Sequence, residues 1–386
     1  MIKGSAPLPV VVATLMSVAC ASGQIAPATT GGAPIVIGAV LPLTGYGAVF
    51  GASTLNSMRL AVDEANAAGG ALGRPLELHA RDDMGDMTEG AAAFRASIEI
   101  DGAIAIAGTL MSKISLAGAP ICQAAGVPMV TPTSTNPAVT TVGDYIFRAC
   151  FVDPYQGYLA ASFARKALRA RTAACVYDEG FEYSSAIAAT FADAFSALGG
   201  TVLANAGYAT GRNDFRELLA RIVAADPDFI MLPVYDFDAA QIAIQARELG
   251  YDGAFVGVDG WDSPELSSYA GNALEGAYFM NHWIPGASSK TSADFALAFR
   301  NRYGREPDVF AALGYDSVRI VIEGIRKAGS TEGAAIRDAI ASTEFELATG
   351  TLRYEGSGDP VKSGVAVRIE GGAFVFDSFV DPPARD

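Results

Sequence analysis

From residue 34 onward the chain alternates two patterns. Short unbroken apolar runs are followed by stretches in which apolar residues recur every three to four positions. Residues 35–41 form a β-branched run that ends in Pro42-Leu43-Thr44-Gly45. Residues 53–67 then place Leu55, Met58, Leu60, Val62 and Ala65 near helical spacing, and residues 76–81 are extended again. The alternation continues with strands expected at 103–107, 128–131, 172–177, 201–206, 229–233 and 254–258, and helices centred near Leu116, Ala161, Phe191, Leu218, Ala243 and Leu266. Strands that are apolar throughout, separated by amphipathic helices, predict parallel sheets covered on both faces. A chain of 386 residues exceeds what one core usually supports, so two such sheets are expected.

The N-terminus follows a different pattern. Residues 1–19 carry one charge, Lys3, then an apolar run over 8–16, then Ser17-Val18-Ala19 ahead of Cys20. This reads as a secretory signal, and its apolar run is too short to span a bilayer as a mature helix. Small residues directly before a cysteine resemble the lipobox of bacterial lipoproteins, with Ser17 standing where that box prefers Leu. Cys20 is then the expected lipidation site and residues 20–33 a flexible tether. The expected location is periplasmic or cell-surface, lipid-anchored, with the membrane engaged through that lipid only.

Composition narrows the function. Hydrophobic residues at 51% and charged residues at 18% describe a packed globular protein, not a disordered one. A net charge of −15 argues against nucleic acid and against anionic headgroups as partners, since both need a basic face. Beyond Cys20 the cysteines are Cys122, Cys150 and Cys175; a Cys122–Cys150 bridge and buried free thiols both remain open. No spacing resembles a zinc site, and with only His79 and His282 a histidine-rich metal centre is excluded. Neither a Gly-x-Ser-x-Gly elbow nor a P-loop occurs, and Gly45-Tyr46-Gly47-Ala48-Val49-Phe50 lacks the last glycine of the dinucleotide fingerprint. An enzyme is therefore not expected, and no cofactor or metal is.

In open α/β sheets ligands bind beyond the carboxyl ends of the strands. Four segments there carry unusual chemistry. Gly108-Thr109-Leu110-Met111-Ser112-Lys113 leads into a helix whose first N–H groups and Ser112 hydroxyl suit a carboxylate, though Ser112 equally suits a plain cap. Thr131-Pro132-Thr133-Ser134-Thr135-Asn136-Pro137 holds five hydrogen-bonding side chains interrupted by two prolines, more than one turn needs, although it also reads as an ordinary loop. Asp178 to Ser184 and Pro233-Val234-Tyr235-Asp236 bring aromatic rings that wall a cleft at low entropic cost. Val258-Asp259-Gly260-Trp261-Asp262-Ser263-Pro264 puts a carboxylate at the end of a buried strand, where a ligand ammonium is one partner and capping of the next helix is the other role.

Together these segments become specific. Residues 37–45, the helix end Ala65-Asn66-Ala67-Ala68-Gly69-Gly70, Arg81-Asp82-Asp83, Thr131-Pro132 with Asn136-Pro137, and residues 259–264 resemble, in order over roughly 34–380, the leucine/isoleucine/valine-binding family of type I periplasmic binding proteins. The resemblance implies an α/β fold with two doubly wound parallel-sheet lobes joined by a three-crossing hinge. It implies an N-lobe of 34–152 plus 284–347 and a C-lobe of 153–283 plus 348–386. It also implies a carboxylate site at Ser112 and Thr135, an ammonium site at Asp259 aided by the Thr133 carbonyl, and ring contacts from Phe50, Tyr183 and Tyr235, with Leu110, Met111 and Ser134 in the same matched segments. Asp259 stands where the family's amino-acid binders usually carry Glu. Gly85 and Met111 occupy positions where some relatives pair cysteines, so that bridge is absent. The implied function is a monomeric substrate-binding protein of an ABC importer that closes on a small amino acid, branched-chain or related, and serves the permease and ATPase subunits. A ligand-sensing receptor of the same fold is the alternative, as is an importer component for an amide, urea or an aromatic acid.

Overall fold

The computed structural model describes residues 1, 32–45, 47–263, 265–287 and 289–382. The expected signal, Cys20 and nearly all of the tether, together with Tyr46 and Pro264, lie outside the described residues. Among the described residues no helix is long and apolar enough to cross a membrane.

Five strands build the first sheet: β1 (Ile35–Leu41), β2 (Leu76–Asp82), β3 (Ala105–Gly108), β4 (Met129–Thr131) and β5 (Ile146–Arg148). Their order is β2-β1-β3-β4-β5, all parallel. The helices α1 (Ala48–Ala67), α2 (Met87–Glu99) and α3 (Ser112–Ala125) connect them. The chain then runs through α4 (Asp153–Lys166), β6 (Thr172–Asp178), α5 (Glu182–Ala197), β7 (Thr201–Tyr208), α6 (Arg216–Ala224), β8 (Phe229–Leu232), α7 (Asp236–Glu248), β9 (Ala254–Gly257), the short α8 (Leu266–Ala270) and β10 (Tyr278–Asn281). It returns to the first sheet as α9 (Lys290–Tyr303), α10 (Val309–Ala328) and α11 (Gly333–Ala341). After a small three-stranded sheet of β11 (Glu344–Leu347), β12 (Gly350–Tyr354) and β13 (Pro360–Lys362), it ends in β14 (Gly364–Glu370) and β15 (Ala373–Val380).

The second large sheet has the order β15-β14-β10-β9-β8-β6-β7. Its centre is parallel, but β14 runs antiparallel to both β10 and β15. The strands at its centre are buried almost throughout, whereas the outermost strands β7 and β15 alternate exposed and covered positions. That is why the central runs are legible as continuous apolar stretches and β15 is not. Cys122, Cys150 and Cys175 are free and buried, and burial pushes each thiol well above its ordinary value.

Helix α10 packs along α1 and reaches β3 and β4 beneath them. Gly314 makes this possible, because a Cβ there would lie 2.6 Å from Thr54 Cγ2 and 2.8 Å from Ser57 Oγ.

Three segments cross between the sheets, and polar groups fasten them where they meet. The expected boundary at 347/348 falls within the small sheet. Residues 350–362 touch the first sheet, where Tyr354 packs edge-on against Phe147 at 5.0 Å and donates to the Arg148 carbonyl at 2.9 Å. The Arg148 N–H in turn donates to Gly358 O at 3.1 Å. The chain enters the second sheet only at Gly364. Lys362 is buried at this passage and donates to Thr349 Oγ1 at 2.6 Å and to Ala149 O at 3.2 Å, which ties the third crossing to the first. Asp316, on α10 and fully buried, accepts from the N–H groups of Ala348 and Thr349 at 2.8 and 2.9 Å. Burial pushes the Lys362 ammonium down to about 8, while attraction to Asp316 partly offsets this. Replacing Lys362 by Met leaves Asp316 charged in a dry site and is expected to cost about 3 kcal/mol of stability, read as a lower urea midpoint. The double variant Lys362→Met, Asp316→Asn is expected to recover part of that loss, since no uncompensated charge then remains buried.

Candidate ligand-binding site

A cavity of about 170 Å³ lies where the carboxyl ends of the two large sheets face each other. Drug-sized pockets run to roughly 300–1,000 Å³, so this one suits a small metabolite. Loops after β3 and β4 supply Leu110, Thr133 and Thr135; the start of α5 and the loop after β8 supply Tyr183 and Tyr235. The ends of β9 and β10 bring Asp259, Gly260 and His282, and the first turns of α10 bring Val309, Phe310 and Leu313.

The loop after β4 is held from below. Thr131 Oγ1 donates to Thr109 O at 2.6 Å and Thr133 Oγ1 to Leu110 O at 2.9 Å, which locks this loop to the one after β3. Arg148, at the end of β5 and fully buried, donates to the carbonyls of Ser134 and Asn136, the latter at 2.9 Å. It also donates to Thr140 Oγ1 at 3.1 Å and meets Asp359 in an ion-pair contact of 2.7 Å that is not aligned as a hydrogen bond. A loop rich in prolines and hydroxyls thus gains a fixed shape from one guanidinium fork.

The opposite wall centres on Asp259. Gly257, four residues before Trp261, leaves room for the indole, since a Cβ would come within 2.2 Å of the ring. The chain then turns through residues 259–261 in a single 3-10 turn. Among the described residues the Asp259 side chain meets two side chains and no N–H of that turn. Its Oδ1 accepts from the Tyr183 hydroxyl at 2.5 Å, its Oδ2 lies 3.1 Å from His282 Nε2, and its backbone N–H donates to Gln156 Oε1 at 3.2 Å. Tyr183 also accepts from the Gly260 N–H at 3.1 Å and stacks on Tyr235 with ring centroids 5.2 Å apart.

Both side-chain partners of this carboxylate are neutral. Burial, reinforced by Asp259 itself, raises the Tyr183 phenol well above its ordinary value, so it stays protonated. Burial also lowers the His282 imidazole below its ordinary value, against the pull of Asp259. The wall therefore presents a hydrogen-bonded but uncompensated negative charge, which favours a cationic group. Asp153, at the start of α4, adds to it. Its N–H donates to Thr135 O at 3.1 Å, and burial pushes its carboxyl up to about 7, with a hydrogen bond from Thr135 pulling the other way and Asp259 adding to the rise.

Of the residues expected from sequence, the fold brings Leu110, Thr133, Thr135, Tyr183, Tyr235 and Asp259 to the cavity. Four stand off it. Phe50 is exposed and stacks at 4.4 Å on Phe310, behind the wall. Met111 precedes α3 as its cap residue, and Ser112 Oγ accepts from the Asn136 N–H at 3.3 Å. Ser134 is turned into the interior, its hydroxyl 2.7 Å from Ser115 Oγ and within reach of the Thr109 and Leu110 carbonyls. Sequence reading passed over His282, Val309, Phe310 and Leu313. His282 directly follows a buried strand, the signal that marked Asp259, whereas Val309, Phe310 and Leu313 look like any amphipathic helix. Among the described residues no cluster of His, Cys, Asp or Glu has the makings of a metal site.

Asp153 sets a pH dependence. Its folded-state pKa of about 7 lies above the unfolded value, so the folded protein holds a proton that the unfolded chain releases between about pH 4 and 7. Its contribution to stability is thus lost as pH rises through 7. Asp153→Asn is expected to raise stability by roughly 2–4 kcal/mol at pH 8 and by almost nothing at pH 4, as urea titrations at the two pH values would show.

Comparison with known proteins places this architecture. The periplasmic binding protein family profile matches residues 34–373. The Leu/Ile/Val-binding protein BraC3 of Rhizobium johnstonii is 32% identical over 332 residues, 85% of this chain and 89% of that protein. Among solved structures, the leucine-binding protein LivK of Thermotoga maritima is 35% identical with a TM-score of 0.77, over 90% of this chain and all but 1% of its own (99% covered). The branched-chain amino acid transporter substrate-binding protein LivJ of Streptococcus pneumoniae, solved with isoleucine, is 29% identical with a TM-score of 0.77, over 91% of this chain and 100% of its own. On this profile match, with a relative above 30% identity aligned over most of both chains, the chain belongs to the Leu/Ile/Val-binding group of the periplasmic binding protein family, a type I fold whose members are substrate-binding proteins of transporters and not enzymes.

Proposed function

We propose that this protein captures a small α-amino acid with an apolar, branched-chain or related side chain outside the cytoplasm and delivers it to the permease of an ABC importer driven by ATPase subunits. The observation that carries this reading is the charge of Asp259, held at the cavity by two neutral donors and, among the described residues, by no Lys or Arg. An ammonium supplies the missing charge. Leu110, Val309, Phe310 and Leu313 offer an apolar wall for the side chain, and the small volume supports a ligand of amino-acid size. The carboxylate is assigned to Thr135 and Ser112 at the N-terminus of α3, with the Thr133 carbonyl assisting the ammonium. Phe50 and Met111 then act from behind the wall and Ser134 as part of the loop's support.

Capture involves closure of two lobes, 34–152 with 284–347 and 153–283 with 348–386, the small sheet straddling the third crossing. The 3.5 Å contact between Asn136 Nδ2 and Glu182 Oε2 joins loops of the two sides across the mouth. Closure excludes water and strengthens every charge-assisted bond inside. The protein acts as a monomer, secreted and lipid-anchored through Cys20.

Asp259→Ala is expected to weaken binding of the best of L-leucine, L-isoleucine and L-valine by about 3–5 kcal/mol, at least a hundredfold by calorimetry, and Asp259→Asn somewhat less. An affinity within about threefold of wild type, roughly 0.7 kcal/mol, would remove the ammonium site and turn the reading towards acids without an amine. Cys20→Ser is expected to leave the protein exported but free of the membrane fraction, because one lipidated residue, not the folded domain, holds it there.

A further inference from the structure

His282 has a place in the site that the recognition scheme above does not use. It follows β10 as the first residue of the second crossing and is 2% exposed. Its ring stacks on Phe151 of the first crossing, with centroids 3.6 Å apart and planes at 26°. Its backbone N–H donates to Asn281 Oδ1 at 2.8 Å, and Asn281 Nδ2 donates to Asp262 Oδ2 at 2.8 Å. The ring is thus stacked on one face and its backbone held, with Nε2 3.1 Å from Asp259 Oδ2.

The tautomer follows from the partners. An ionised Asp259 only accepts, so Nε2 carries the proton. Nδ1 is buried and meets no hydrogen-bond partner among the described residues. A bare lone pair tolerates such a site far better than an N–H does, and a second proton on the ring would leave a charged, unpaired donor in it. The charged groups around the ring are Asp259, which favours that proton, and Lys362 at the end of β13, which opposes it; burial acts in the same sense as Lys362 and outweighs Asp259. Next to Asp259 stand Asp153 of α4 and Asp262 of the same turn, pushed up by burial to about 7 and about 6.

We propose that His282 is a positioning residue that sets the charge of the ammonium subsite: neutral, it orients Asp259 and leaves its charge for the ligand; doubly protonated, it cancels that charge and discharges the ligand. This rests on the reading of Asp259 as the ammonium site. Ligand cation and second proton then compete for one carboxylate. The dissociation constant rises about tenfold for each pH unit below the imidazole's own pKa, and the ligand lowers that pKa further, as linkage requires.

Acidification also removes charge from Asp153 and Asp262, so the wild-type pH profile alone does not isolate the imidazole. The deciding variant is His282→Gln, whose amide N–H replaces the Nε2 donor but does not titrate. Calorimetry with the best-bound of L-leucine, L-isoleucine and L-valine should find that its affinity falls less on acidification than that of wild type, the two profiles parting below the midpoint of the imidazole. His282→Leu, which removes the donor, should bind at least tenfold more weakly at pH 7.5 while keeping a cooperative urea transition. The chain has only two histidines, so an imidazole NMR titration of wild type beside His282→Gln assigns the buried ring directly. Its midpoint should fall below the ordinary value of about 6.5 and fall further with ligand. If Asp259→Ala abolishes binding while His282→Gln keeps the wild-type pH profile, or the ring's midpoint ignores the ligand, the inference fails and the ammonium reading stands. If Asp259→Ala binds normally, or none of the three amino acids binds, both fall together.

Discussion

A single guanidinium, that of Arg148, fixes the geometry on which the cavity depends. It has no exposure to solvent and sits at the carboxyl end of β5, where the first crossing begins. Burying such a charge is costly unless its donors are met, and here they are met by two loop carbonyls, a threonine hydroxyl and the ion pair with Asp359. These acceptors belong to three parts of the site's foundation. Ser134 and Asn136 shape the loop that offers Thr133 and Thr135, Thr140 lies within the 3-10 turn beyond it, and Asp359 belongs to the turn between β12 and β13. The loop after β4 is therefore placed relative to the crossings before any ligand arrives, which removes an ordering cost from binding.

The facing wall works by the opposite economy. Arg148 has the Asp359 carboxylate as its counter-charge, whereas Asp259 has hydrogen bonds but, among the described residues, no Lys or Arg beside it. A chain selected for stability alone would place a cation there or remove the acid, and the neighbouring Asp153, with burial driving its carboxyl towards neutrality, raises the cost further. Concentrated negative charge beside an apolar wall is the kind of stability sacrifice that functional sites show. The global charge of −15 does not create this site, since most of those carboxylates are solvated. What matters locally is that Tyr183 and His282 can donate protons without surrendering them.

Much of the architecture was legible because the central strands are short and apolar throughout, and helical spacing between them is regular. The runs at 172–177, 229–233 and 254–258 match β6, β8 and β9 to within a residue or two. The C-terminal strands were not legible. In β15 exposed and covered residues alternate, and in the small sheet each strand spans only three to five residues, so no window holds a sustained period. The site followed the same logic. Residues in polar loops after strands were visible as chemistry, but which side of a loop faces the ligand depends on packing. Ser134 shows this: it lies between two cavity residues, and its hydroxyl is claimed by Ser115 and by two carbonyls beneath. Val309, Phe310 and Leu313 lie some 170 residues from the loop they face, and nothing local distinguishes them from core.

Helix α10 links the wall to the hinge. Its first turns present Val309, Phe310 and Leu313 to the cavity, and one residue after Tyr315 the same helix carries Asp316, whose carboxylate binds the N–H groups of Ala348 and Thr349. Thr349 then accepts from Lys362, which also holds Ala149. Helices transmit displacement rigidly over a turn or two, so a side chain pressing on Phe310 and Leu313 loads the anchor at Asp316 within the same element. The first crossing reports the other wall, since Phe151, two residues beyond Ala149, stacks on His282, which holds Asp259. Apolar contact on one side of the ligand and charge on the other thus converge on residues 149–151 and on Lys362. On the proposed reading, a ligand satisfying only one of the two walls would bias only one arm of this arrangement.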